Sequence, residues 1–307
     1  MQGDNADRPD LGTQHRTCVV VVLHYGTANK TIDCVRSIPK DGYPLVVVDN
    51  GPEVLAEGTI RYPFDFTVLH SRTNVGYAGG MNAGIEQALK LQPDFVLLVT
   101  NDIRLDEGTV KTLISTAAEL PSLGALGPAI TLADTGELWA PRPSTIIEAL
   151  GDQKSRVTEL VGAILLLKRQ AIERVDRFDE AFFMYGEDTD LCRRLSAAGY
   201  FLAVDWRARA SHVLSNRGFY TAKYQVYYRS RNMILLQWKS LGPGKKMRKV
   251  IRLVRLTLLY HGPHLILLVR HGHLDAIPAL AEGWLDAILW AMRLRGAGMK
   301  SKFKHGD

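Results

Sequence analysis

The chain has 307 residues, 46% hydrophobic and 23% charged, with a formal net charge of +6. That length and apolar fraction suffice for a full core and exclude a small stapled module. The three cysteines, Cys18, Cys34 and Cys192, form no Cys-x-x-Cys pair, and their odd number argues against a disulfide framework and for a reducing compartment.

Residues 1–16 are polar and lack an apolar core of signal-peptide type, which predicts a disordered tail without an export signal and hence a cytoplasmic protein. Residues 18–25, 45–49, 66–70 and 95–100 are continuous apolar runs, the pattern of buried parallel strands. Helix-like segments at 29–38, 78–91 and 107–120 lie between or after them. The alternation predicts an α/β fold with a doubly wound, mostly parallel sheet, joined by right-handed crossovers and flanked by helices. Such sheets bind ligands at the carboxyl ends of their strands. Those ends carry Tyr25-Gly26, Asp49-Asn50-Gly51, Ser71-Arg72-Thr73-Asn74 and Thr100-Asn101-Asp102. A fifth strand-like run at 124–130 precedes Trp139, whose indole stacks on an acceptor sugar or, the commoner use of a single tryptophan, packs in the protein.

Farther on, Glu187, Asp188 and Asp190 set three carboxylates within four positions, directly after the aromatic run Phe182-Phe183-Met184-Tyr185. Carboxylates this close repel one another and are costly to bury, so the arrangement marks a place where a proton or a cation is handled. Asp190 has a simpler use, because an acid in the first turn of a helix is favourable in itself.

From Asn216 to Asp307 there are 17 Lys/Arg against 4 Asp/Glu, while the rest of the chain holds more acid than base. A basic end predicts contact with a polyanion. Lys245, Arg248, Lys249, Arg252 and Arg255 recur at helical spacing opposite Met247, Val250, Ile251, Val254 and Leu258, a basic amphipathic helix. The uncharged run 256–269 contains Gly262-Pro263 and falls short of the roughly 20 residues a spanning helix needs. The apolar stretch 277–294 adds Trp284 and Trp290, aromatic content suited to a lipid headgroup layer. These helices are expected either to lie on an anionic membrane surface or to pack on the rest of the protein or across a homodimer. Charges interrupted by long aliphatic runs do not suit a nucleic acid partner.

No Gly-x-Gly-x-x-Gly follows the first strand and no P-loop occurs, which disfavours dinucleotide and P-loop chemistry. The segment Asn74-Val75-Gly76-Tyr77-Ala78-Gly79-Gly80-Met81-Asn82-Ala83-Gly84 either lets backbone amides approach a phosphate or sugar or lets a helix pack tightly on the sheet. Taken in order, Asp49-Asn50-Gly51, this segment, Thr100-Asn101-Asp102, Phe178-Asp179-Glu180 leading into Gly186-Glu187-Asp188-Thr189-Asp190-Leu191, and Ser211-His212 resemble the motifs of family 2 glycosyltransferases. The resemblance is greatest to the bacterial rhamnosyltransferase-like branch and extends over about residues 18–232. It implies a GT-A fold and an inverting transfer of a sugar from a nucleotide-diphosphate donor.

The resemblance also implies roles. Asp102 occupies the last position of an Asp-x-Asp-like metal motif and would hold Mg2+ or Mn2+, with His212 as a further ligand; Thr100 stands where Asp or Asn is usual. Asp188 would be the general base, with Glu187 shaping its pKa or hydrogen-bonding the acceptor, and Tyr185 and Trp139 on the acceptor side. Asp49 would sit by the pyrimidine base, in a donor-binding set with Tyr25, Arg72, Asn74, Gly79, Asn82 and Asn101. Residues 224–238 resemble the family's closing helix, whose arginines either meet the diphosphate or form a wet basic face.

The expected organisation is the tail 1–16, a catalytic domain 17–215 with a nucleotide-binding half 17–130 and an acceptor half 131–215, and a basic helical extension 216–307. The expected reaction is a single metal-assisted displacement from dTDP-rhamnose or a UDP-sugar, GDP-sugars remaining open, to a saccharide, lipid-linked or natural-product hydroxyl. The protein would be cytoplasmic and peripheral on the inner membrane face. Two other classes compete. A nucleotidyltransferase would need basic residues near the first strand, where only Lys30 lies; a non-catalytic sugar-nucleotide-binding protein would follow if Thr100 abolished metal binding.

Overall fold

The computed structural model describes residues 17–52, 54–56, 58–213, 222–240 and 246–291. The tail 1–16, Lys245, residues 292–294 and the start of the extension at 216–221 lie outside the described residues, as do the side chains of Met247, Arg248, Lys249, Val250, Arg252 and Leu258.

The apolar runs form β1 (Cys18–His24), β2 (Leu45–Asp49), β3 (Phe66–His70) and β4 (Phe95–Thr100). Alternate residues of β1 enter different cores: Cys18, Val20 and Val22 pack on one face of the sheet, Val19, Val21 and Leu23 on the other. That explains why the run is apolar without alternation, since both faces are covered and successive side chains point opposite ways. Helices α1 (Ala28–Ser37) and α3 (Thr109–Glu119) cover the first face. On the second lie α2 (Gly76–Leu89), α4 (Arg169–Val175) and α5 (Glu187–Ala197). Each fully buried valine or leucine contributes on the order of 1.5–3 kcal/mol. The strand at the edge differs from expectation: both ends of β3 are exposed, because only β2 pairs with it.

The sheet is mixed. Its order is β3-β2-β1-β4-β10-β6-β11-β9-β8, with β5 (Ile103–Leu105) beside β11 and β7 (Leu138–Ala140) beside β6. Strands β3, β2, β1 and β4 are parallel, and so are β6 (Leu123–Leu132) and β11 (Phe201–His212). Between them β10 (Ile164–Lys168) runs antiparallel to both neighbours, and β8 (Ile146–Ala149) and β9 (Lys154–Val157) close the far edge. The chain leaves β1 toward β2 on one side and returns to β4 on the other, so a crevice opens at the carboxyl ends of β1 and β4. Because β10 is antiparallel with Ile164 opposite Val99, its entry residues Gly162 and Ala163 arrive at that same edge.

The glycine-rich segment is the first half of α2. A Cβ on Gly84 would collide with Val21 and one on Gly80 with Leu23, so these glycines let the helix lie close on β1. Three helices follow the sheet: α6 (Lys223–Ser240), α7 (Lys246–Arg270) and α8 (Ile277–Ala291). Helix α8 packs on α6, with Gly283 against Ser230 and Tyr227 and with the Tyr227 hydroxyl donating to Asp286 Oδ2 at 2.6 Å. Trp284 and Trp290 pack into this helical cluster, the second of the two uses open to that stretch. Helix α7 continues through Pro263, and among the described residues no helix is long and apolar enough to cross a membrane.

Candidate active site

The acid-rich turn is reached through an unusual backbone. Phe183, Tyr185 and Gly186 have φ of 63°, 67° and 92°, and the two aromatic residues there each cost of order 1–3 kcal/mol. Gly76, at φ 77°, admits this loop, because a Cβ there would strike the Phe183 carbonyl, which instead accepts from Ala78 N at 3.0 Å. The loop delivers Glu187 and Asp188 into the first turn of α5. Asp188 Oδ2 accepts from Gly162 N at 3.1 Å and Oδ1 from Thr189 N at 2.7 Å. Burial raises the Asp188 carboxyl above its ordinary range, and the bonds from Gly162 and Thr189 and the Arg229 charge offset this in part. Glu187 is pushed well above the carboxylate range by burial and then by the Asp188 charge, and its Oε2 is buried with no hydrogen-bond partner. Asp190 has a structural use, paired with Arg194 Nε at 2.8 Å and Lys239 Nζ at 2.6 Å.

The second carboxylate site lies across one dipeptide. Gly162 holds Asp188 and accepts from the Tyr77 hydroxyl at 2.5 Å; its neighbour Ala163 accepts from Thr100 N at 2.8 Å. Thr100 Oγ1 in turn donates to Asp102 Oδ1 at 2.6 Å. The residue that departs from the family's motif therefore orients the carboxylate two positions on. β11 pairs antiparallel with β5, setting His212 opposite Ile103, and Val213 N donates to Asp102 O at 2.8 Å. This brings His212 Nε2 to 3.1 Å from Asp102 Oδ2. Burial would raise the Asp102 carboxyl, but the hydrogen bonds and charge of His212 and the bond from Thr100 hold it below the usual range. Trp139 lies on His212 with ring centroids 4.4 Å apart, so its indole fixes the imidazole.

Asp102 Oδ2 and His212 Nε2 are adjacent, a carboxylate oxygen and an imidazole nitrogen of the kinds that bind Mn2+. His212 Nδ1 is buried without a hydrogen-bond partner. Among the described residues no group of three or more His, Cys, Asp or Glu side chains is placed to hold an ion. Two protein ligands fit a divalent cation that completes its shell with ligand oxygens and water.

The remaining expected residues divide by what they touch. Asp49 is 3% exposed; its Oδ2 accepts from Leu55 N at 2.8 Å and pairs with His70 Nδ1 at 2.9 Å, while Oδ1 takes Gly51 N at 3.3 Å and keeps acceptor capacity. Tyr25 and Arg72 are exposed at the ends of β1 and β3. Asn74 Oδ1 accepts from Asn50 Nδ2 at 3.1 Å and Gly76 N at 2.9 Å, fixing the turn into α2. Asn101 and Asn82 brace the scaffold. Asn101 Nδ2 donates to Tyr25 O and Thr31 Oγ1, at 3.0 and 2.9 Å. The Asn82 amide clasps Phe178 through both its N and O atoms and reaches Glu180 Oε1 at 2.9 Å. Gly79 is buried within α2, over Val75. Tyr185 lies on the loop that leads to Glu187 and Asp188, with the Arg229 guanidinium 4.4 Å from its ring centroid.

The fold is that of GT-A proteins. Staphylococcus aureus TarS 1–349 in complex with UDP-GlcNAc is similar over 89% of this chain and 81% of its own, with a TM-score of 0.57 at 15% identity. A mannosyltransferase from Pyrobaculum calidifontis in complex with GDP-Man and Mn2+ is similar over 90% of this chain and 77% of its own, with a TM-score of 0.53 at 16% identity. The family model for Glycosyl transferase family 2 matches residues 18–175, and the chain belongs to that family. An N-acetylglucosaminyl-diphospho-decaprenol L-rhamnosyltransferase of Mycobacterium tuberculosis is 30% identical, over 51% of this chain and 62% of its own. A galactofuranosyltransferase of Mycolicibacterium smegmatis is 31% identical, over 59% and 66%. The chain thus spans less than two thirds of the length of these relatives.

Proposed function

We propose that the protein is an inverting glycosyltransferase that uses a nucleotide-diphosphate sugar. The observation that supports it best is the Gly162–Ala163 dipeptide, which ties Asp188 on one side to Thr100 and Asp102 on the other. A single in-line displacement needs two separate carboxylates near one reacting carbon: one takes the acceptor proton and one serves the leaving diphosphate. Asp188 is the base, held by two backbone N–H groups and raised by burial toward the pH at which a base works well. Burial and the Asp188 charge push the Glu187 carboxyl well above the carboxylate range, and in its protonated form it can donate to an acceptor oxygen. Asp102 and His212 would hold Mn2+ or Mg2+, which when bound neutralises charge on the departing diphosphate. Asp49 Oδ1 accepts from the ring N–H of a pyrimidine, with Tyr25, Arg72 and Asn74 along the same edge, and Tyr185 meets the acceptor.

The names of the relatives favour a rhamnosyl or galactofuranosyl donor and a lipid-linked saccharide as acceptor; a UDP-sugar is bound in the TarS complex, and dTDP-rhamnose is the donor that the motif resemblance suggests. On this reading residues 17–215 form the catalytic domain, 216–307 an extension, and α7 seats the protein on the inner membrane face. Incubation of the protein with Mn2+, each donor and a polyprenyl-diphosphate-linked saccharide, followed by proton NMR of the product, tests the reaction. An anomeric configuration opposite to that of the donor is expected; a product with retained configuration contradicts the single displacement.

A further inference from the structure

The loop that carries Glu187 and Asp188 has a few hydrogen bonds of its own, from Phe183 N to Glu180 O at 3.1 Å and from Met184 N to Phe182 O at 2.7 Å, and is otherwise held from outside. Arg231 Nη2 donates to Ala181 O and, at 3.0 Å, to Phe182 O. Asn232 Nδ2 lies 2.9 Å from Phe182 O, 2.7 Å from Met184 O and 2.6 Å from Tyr185 O, and its Oδ1 accepts from Arg231 Nε at 2.9 Å. Both side chains are 1% exposed. They are therefore neither a wet basic face nor diphosphate ligands. A buried guanidinium needs compensation. It lies over the Tyr228 ring at 5.2 Å and beside Tyr227, whose hydroxyl donates to Asp286 of α8 at 2.6 Å. A continuous path thus runs from α8 through Tyr227 and Arg231 to the carbonyls of a loop whose φ values are left-handed at Phe183, Tyr185 and Gly186.

We infer that Arg231 and Asn232 are positioning residues for the base: they hold the strained loop in the one conformation that sets Asp188 against Gly162. This rests on the assignment of Asp188 as the base. It makes the helices beyond the family-matched segment part of the catalytic apparatus, since α6 supplies the clamp and α8 balances its charge. Backbone in a left-handed conformation persists only where its surroundings over-determine it, and the two N–H donors of Asn232 lie among three carbonyls of that loop, those of Phe182, Met184 and Tyr185.

The test compares wild type with Asn232→Ala, in the full chain, by hydrogen–deuterium exchange and by kinetics with the nucleotide-sugar that wild type turns over. Faster exchange confined to residues 182–190, with β1 and β2 unchanged, is expected. So are a fall in kcat of about 10²-fold, as for a displacement on the order of 1 Å, an unchanged donor Kd, and an acid limb of the pH profile that moves down as water reaches Asp188. Unchanged exchange over 182–190 overturns the clamp, as does a donor Kd that weakens in step with kcat. If Asn232→Ala does not fold, Asn232→Ser, which keeps one donor on a shorter side chain, serves the same comparison. A wild type without turnover on any donor defeats the proposed function, and exchange alone then decides the clamp.

Discussion

At the scale of the residue, the two carboxylates are separated by their surroundings. Asp102 is held below the usual range by His212 and Thr100, whereas Asp188 is raised by burial with only partial relief from Arg229. A base works deprotonated, so kcat/KM is expected to fall on acidification with a midpoint above the ordinary Asp value of about 3.9. Arg229→Leu removes a charge that lowers Asp188, and the midpoint should move up; a pH–rate profile that moves down contradicts the assignment. The same raised carboxyl has a cost for stability. A carboxylate whose folded pKa exceeds its unfolded one binds its proton more tightly in the native state, so it destabilises the fold above the unfolded pKa. Asp188→Asn is therefore expected to abolish turnover at neutral pH without lowering Tm in a thermal melt. Both carboxylates were legible in the sequence because their neighbours in the chain advertise them. Gly162 and Asn232 were not, since the bonds that give them meaning reach Asp188 and Tyr185 across 26 and 47 residues.

At the scale of the element, periodicity located β1 to β4, β6 and α1 to α3 to within two residues at each end, because apolar runs and helical spacing are local properties, but it missed the three-residue strands β5 and β7. It did not show that β3 is a half-exposed edge or that β10 inserts antiparallel at the centre, because a run buried on both faces looks the same in either direction. The glycine-rich segment had two uses open to it, and packing accounts for Gly80 and Gly84. At Gly84 an added Cβ meets Val21 Cγ1 and, at 3.0 Å, Val48 Cγ2, both β-branched and held by a strand. Gly84→Ala would gain about 0.5–1 kcal/mol of helix preference, but overpacking of this kind costs about 1–3 kcal/mol. Net destabilisation of about 1–2 kcal/mol is expected by urea denaturation; a more stable variant would show that α2 does not lie this close to β1.

At the scale of the whole molecule, the basic end divides into a part that packs inward and a part that faces out. Helix α8 belongs to the body of the protein, whereas the second half of α7 is anchored by buried His261 and Leu268 but leaves Ile266, Leu267 and Val269 exposed. Among the described side chains of the first half of α7, Ile251, Val254 and Leu259 are exposed together with Arg255. Apolar and basic side chains on one exposed surface suit an anionic bilayer. Flotation with vesicles containing anionic lipid should carry the protein upward at low salt, and Ile251→Glu with Val254→Glu should abolish this; sedimentation of the wild type at low salt contradicts the membrane role. Charge asymmetry was visible in composition, whereas the inward half was not, because helical spacing does not say what a helix rests on.

The most direct measurement is donor binding and hydrolysis across dTDP-, UDP- and GDP-sugars, with and without Mn2+, for wild type, Asp102→Ala and Asp188→Ala. One donor is expected to bind in a metal-dependent manner; Asp102→Ala should weaken that binding, and Asp188→Ala should preserve it while stopping transfer. Absence of nucleotide-sugar binding under every condition, or equal binding by Asp102→Ala and wild type with Mn2+ present, would contradict a metal-assisted glycosyl transfer at this site.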